Sequence, residues 1–154
     1  MRSFKKNGAQ CIGRSRGGWT SKLHLVAANS QCAAAIPLTS GNCSDAPEGR
    51  KLLKKISEIP QLKWCEALMD RAYEGNETRD PAFTLGFNPA VPPNPNRRLP
   101  WQYDKELYKK RNEVERLFRR LKRFRRVFTR YDKLDIIYLG FVMMAFIFDY
   151  LNLR

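Results

Sequence analysis

Tyr108, Arg111, Glu115 and Lys122 lie in the basic stretch 108–126, which holds ten Lys or Arg against two carboxylates, Glu113 and Glu115. With Tyr108 at zero and 100° per residue, Arg111 falls at about 300°, Glu115 at about 340° and Lys122 at about 320°, one narrow stripe. Leu107, Val114, Leu117, Phe118, Leu121 and Phe124 fall at about 160–280° and form a core face. Arg116, Arg119, Arg123 and Arg126 fall at about 0–80°, an outward cationic face. Arg and Lys recognise phosphate, whereas a carboxylate beside them repels it unless a divalent cation stands between. A metal-assisted phosphoryl chemistry is one reading of Glu115. The other is a surface acid paired four residues away with Arg111 or Arg119, worth about 0.2–0.5 kcal/mol.

Composition narrows the choice. The chain has 154 residues, 43% of them hydrophobic, enough to bury a core. Its net charge of +14 calls for an anionic partner, nucleic acid before an acidic membrane surface. Residues 97–133 alone hold 15 Lys or Arg against five Asp or Glu. Cys11, Cys32, Cys43 and Cys65 form no CxxC pair and His24 is the single histidine, so zinc-site spacing is absent. The cysteines read as reduced, mostly buried thiols of a cytoplasmic protein. The apolar run 136–148 is 13 residues long, short of the roughly 20 that span a bilayer, and reads as a buried core helix.

Residues 1–12 read as a basic lead-in. Three glycines make 13–19 a loop, and 20–28 with 32–39 read as two antiparallel strands joined by a turn. A helix starts at Ser44 or Asp45, with Leu52, Leu53 and Ile56 as its apolar stripe. WCEALMD (64–70) reads as a buried strand delivering Asp70 at its tip. A short helix ending at Gly86, a brief strand from Phe87 and a proline-rich loop follow. Two helices, roughly 104–127 and 133–152, complete the order ββαβαβαα, which implies a mixed sheet flanked by helices. His24 and the tryptophans Trp19, Trp64 and Trp101 read as packing residues. Arg14 and Arg16 read as phosphate contacts or as part of a flexible linker. The Arg- and Asn-containing proline loop reads as a DNA-contacting insert or a connector.

The run Tyr108-x2-Arg111-x3-Glu115-x6-Lys122 resembles, at all four positions, the Y-R-E-K signature of bacterial DDE-type insertion-sequence transposases. MDRAYEG (69–75) resembles the segment that carries this family's second catalytic aspartate, here Asp70. GRSRGGWTSKLH (13–24) and RYDK (130–133) are also similar to family sequence. The resemblance implies an RNase H-like fold over 13–154 and DNA strand cleavage and transfer during transposition. It further implies that Asp70 and Glu115 are catalytic ligands of Mg²⁺ (or Mn²⁺), with Tyr108, Arg111 and Lys122 contacting DNA. Transposon ends and target DNA would be the partners, with a homodimer in the DNA complex, no membrane, and a place at the nucleoid.

The family's first aspartate precedes the GRSRGG segment, whereas residues 1–44 of this chain contain no acid. Asp45 stands in the position of a helix cap. The expectation is therefore an N-terminally truncated domain lacking its first strand. A catalytically inactive nucleic-acid-binding remnant that competes with full-length transposase is the alternative.

Overall fold

The computed structural model describes residues 8–152, so most of the expected basic lead-in, residues 1–7, lies outside it. The chain forms two compact units. One takes in the chain up to Cys43 and from Glu113 onward; the other is Ser44–Asn112. The architecture is mixed α/β with three small sheets, in place of the single sheet that the element order suggested.

In the discontinuous unit, the glycine-rich segment is a hairpin and not a loop. β1 (Gly13–Ser15) pairs antiparallel with β2 (Gly18–Leu23) around Arg16–Gly17. Gly18 leaves the turn at φ +101, a conformation that glycine adopts without steric cost. The expected antiparallel pair beyond it is present but broken. β2 pairs with β5 (Leu38–Ser40), and β3 (Val26–Ala27) with β4 (Ala33–Ala35). The ladder lapses at Pro37, which has no N–H to give; its carbonyl still accepts from the His24 N–H at 2.9 Å.

Alternate residues of this hairpin, Leu23, Leu25 and Ala27 with Ile36 and Leu38, pack on the unit's core. That core is Leu117 and Leu121 of α4 (Asn112–Leu121), Val127 of α5 (Arg125–Phe128), and Tyr138, Val142 and Ala145 of α6 (Asp135–Tyr150). The buried Tyr138 hydroxyl donates to the Val127 carbonyl at 3.0 Å, and burial pushes its pKa up. Two ion pairs hold the helices. Arg120 reaches Asp149 at 2.8 Å and also donates to the Ser30 carbonyl. Arg130 reaches Asp135 at 2.7 Å and donates to Ser21 Oγ. Asp135 also accepts from the Cys11 N–H at 2.8 Å. Burial by itself would raise the Asp135 pKa, but these two donors outweigh it and hold the carboxyl below its ordinary 3.8.

The other unit follows the sequence reading closely. α1 (Asp45–Ile56) starts after Ser44 and buries Leu52, Leu53 and Ile56, its expected stripe. Ser44 makes no side-chain cap bond, and Asp45 lies inside the first turn, where its charge favours the helix dipole. β6 (Glu66–Leu68) and β7 (Asn88–Ala90) pair in parallel, with α2 (Asn76–Thr84) as the crossover. The chain leaves α2 at Gly86, the expected helix end, which takes φ +86. β6 is only partly covered, not the buried strand expected.

Four further expectations change. The single helix over 104–127 is three pieces: α3 (Lys105–Lys109), a turn at 110–111, α4, a second turn, and α5. The N–H groups of Lys110 and Arg111 bond three residues back, to Leu107 and Tyr108, which tightens the chain and ends α3. Trp19 and Trp64 are exposed at 74% and 78%, not buried packing residues. The cysteines are free, three half-buried and Cys65 exposed, rather than mostly buried. α6 is buried on one side only. No helix among the described residues is long and apolar enough to cross a membrane.

Candidate functional site

Asp70 stands two residues beyond β6 and caps the 3-10 turn Arg71–Tyr73, its carboxylate accepting from the Arg71 N–H at 2.5 Å. Its side chain is exposed, and the second oxygen faces Arg111 Nη1 at 3.8 Å. Arg111 lies over the Tyr108 ring with 5.7 Å to the centroid. Thus residues 70, 108 and 111, remote in sequence, share one surface of the Ser44–Asn112 unit. Burial pushes the Tyr108 phenol above its ordinary 10.0; Arg111 opposes that rise and Asp70 adds to it. The phenol therefore stays protonated at neutral pH and keeps an O–H to donate.

The elements that hold Tyr108 are local. Asp104 caps α3, its Oδ1 accepting from the Glu106 and Leu107 N–H groups at 2.9 Å. Tyr103 meets the Tyr108 ring edge-on at 5.6 Å. Tyr103 and Asp104 also line a cleft of about 580 Å³ with Phe83, Asn88 and Trp101.

Glu115 and Lys122 belong to the other unit. Both are exposed, as are Arg116, Arg119, Arg123 and Arg126, while Leu117 and Leu121 are fully buried. The expected inward and outward faces of α4 are therefore correct. Arg116 is paired with Glu113 at 2.7 Å, and Arg126 with Asp132 at 3.3 Å. The signature is thus divided by the turn at 110–111, with Asp70, Tyr108 and Arg111 in one unit and Glu115 and Lys122 in the other.

Sequence reasoning missed the anchoring of the proline loop. Trp101 donates its indole N–H to the Val91 carbonyl at 2.8 Å and carries the Arg79 guanidinium 3.5 Å above its ring. Arg97 lies 4.7 Å from the same ring centroid and donates to Asn76 at 2.5 Å. The loop is therefore fastened to its unit. Arg79 and Trp101 stand 22 residues apart with no periodicity to link them, so only the Arg–aromatic composition hinted at it. His24 is half-buried and shares a hydrogen bond with Thr39 at 2.8 Å, the packing role expected of it.

Asp70 and Glu115 offer hard, exposed carboxylate oxygens, the donor chemistry that suits Mg²⁺ or Mn²⁺ completed by water and phosphate. Among the described residues, no group of three or more His, Cys, Asp or Glu converges.

The chain matches, over residues 2–148, the family described as Transposase DDE domain. It is 31% identical over 127 residues to a Brucella ovis protein named as a transposase for insertion sequence element IS6501; the match covers 82% of this chain and 94% of that protein. No solved structure matches.

Proposed function

Since this chain belongs to the DDE transposase domain family of insertion sequences, we propose that it cleaves and transfers DNA strands, with Asp70 and Glu115 holding divalent metal. The observation that carries this reading is the meeting of Asp70 with Arg111 and Tyr108, which joins two separate family-like segments on one surface. The RNase H-like arrangement of the family is part of the same proposal, as is a single domain over 13–154.

Bound metal would activate the attacking oxygen and neutralise charge on the scissile phosphate. Arg111, braced by Asp70 and the Tyr108 ring, presents a planar fork to two oxygens of one phosphate. Lys122 acts as a point charge on phosphate, and Tyr108 donates its retained proton to the DNA. Arg119 and Arg123 extend the cationic track along the duplex.

The test is single-turnover cleavage of labelled duplex carrying element ends, with Mg²⁺ or Mn²⁺. Cleavage should require metal and vanish in Asp70→Asn and Glu115→Gln, with duplex binding retained in both variants. Cleavage unaffected by either substitution would refute the assignment. One fact favours a second reading: residues 1–44 hold no acid, so two of the family's three carboxylates have counterparts here. A DNA-binding remnant would bind ends, compete with an active transposase and cleave under neither metal.

A further inference from the structure

The break after α4 turns an aromatic side chain outward. A continuous helix carried on to residue 128 would place Phe128 at about 200°, inside the core face. The chain instead tightens at Arg123 and Phe124, whose N–H groups bond three residues back, and α5 starts afresh. Val127 takes the buried position, and Phe128 stands 68% exposed. Tyr131, three residues further on, is 55% exposed.

Neither ring owes its exposure to a loose backbone. The Val127 carbonyl accepts from the buried Tyr138 hydroxyl, and the Thr129 N–H bonds back to the Arg125 carbonyl. Next to Tyr131 in the chain, Arg130 donates to the Asp132 and Lys133 carbonyls, to Ser21 Oγ and to the Asp135 carboxylate. Arg125 links the two rings. It shares a face of α5 with Phe128 at a spacing of three, and its Nε donates to the Tyr131 hydroxyl oxygen at 3.1 Å. Residues 122–133 hold six Lys or Arg and one acid, Asp132, which Arg126 already engages.

We propose that Phe128, Tyr131 and Arg125 form a binding site for unpaired nucleotides of a single nucleic-acid strand. An exposed ring gains by stacking on a flat partner, and every base offers such a face once it is unpaired. In a duplex those faces cover one another, so a duplex offers this turn little but phosphate. The surrounding cations suit the backbone of the same strand, and the Arg125 guanidinium can pair with phosphate or stack beside a base. A bilayer fits less well, because a four-residue helix gives no long apolar face to bury. Rings carried on a backbone tied to the core also lose little freedom on binding.

The site uses neither Asp70 nor Glu115, so its role goes beyond strand cleavage and does not rest on it. Fluorescence anisotropy of the full chain tests it, with labelled deoxythymidine or uridine strands of about 16 nucleotides and a duplex of equal length. Phe128→Ala and Tyr131→Ala should each weaken single-strand binding about five- to hundredfold and duplex binding by less than about twofold. Phe128→Trp should keep the single-strand affinity, whereas Phe128→Leu, apolar but without a π face, should lose it. Asp70→Asn should bind single strands as the parent does, which separates this site from the cleavage reading. Tighter binding of one of the two strands names DNA or RNA as the source of the nucleotides. Single-strand binding untouched by both alanine variants, or duplex binding lost in equal measure, would overturn the proposal. So would binding to phosphatidylserine vesicles that depends on Phe128 and that the oligonucleotides fail to displace.

Discussion

Leu121 and Lys122 are adjacent in sequence and opposite in environment, the first with no exposed surface and the second exposed. Leu121→Ala removes three carbons from the core formed with Leu117, Val127, Tyr138 and Val142. At about 0.8 kcal/mol per carbon the transfer loss is about 2.5 kcal/mol, and the residual cavity raises it to about 3–4 kcal/mol. A chain of this size loses about 2–4 °C of Tm per kcal/mol, so the midpoint should fall by about 6–15 °C. Lys122→Ala should leave Tm within about 2 °C and weaken duplex binding, with a flatter dependence on salt. Differential scanning calorimetry and fluorescence anisotropy over a salt series read the two effects separately. An unchanged Tm in Leu121→Ala, or a large drop in Lys122→Ala, would refute the orientation of α4 and the phosphate assignment built on it.

Other consequences are equally measurable. The lowered pKa of Asp135 means its contribution is complete above about pH 3.8 and is lost as pH falls through the lowered value. Asp135→Asn should therefore cost about 2–4 kcal/mol at neutral pH and flatten the acid limb of a urea-denaturation series. Asp104→Ala removes the cap of α3 and should cost about 1 kcal/mol in the same assay, with a measurable loss of DNA affinity through Tyr108. Trp101→Ala releases Arg79 and the proline loop, so trypsin should cut at Arg97 or Arg98 much faster than in the parent chain, as resolved by mass spectrometry.

Where local chemistry decides the structure, the sequence was readable. The stripe of α1, the exit at Gly86 and the two faces of α4 all follow from periodicity and glycine conformation. Glycines, by contrast, mark a turn without saying whether strands flank it, and the GRSRGG hairpin was lost for that reason. The break at 110–111 has no Gly or Pro to announce it: residues 105–121 form helix on both sides, and the tightened turn is a matter of tertiary context. The same holds for α6, whose apolar composition gives no sign that half of it faces water. At the candidate site, Asp70, Glu115 and the signature were reached through the resemblance their segments carry, and Asp104 and Tyr103 from neither pattern nor charge.

The discontinuous unit also bears on how the chain is made. Strands β1–β5 are complete once Ser40 has been synthesised, yet the helix α6 that helps cover Leu23, Leu25 and Leu38 starts only at Asp135. At the usual pace of about 5–20 residues per second, on the order of 5–20 s pass between the two events. Ser44–Asn112 carries its own core and can condense within that interval. The early hairpin meanwhile holds an apolar face that stays uncovered until α6 has been made.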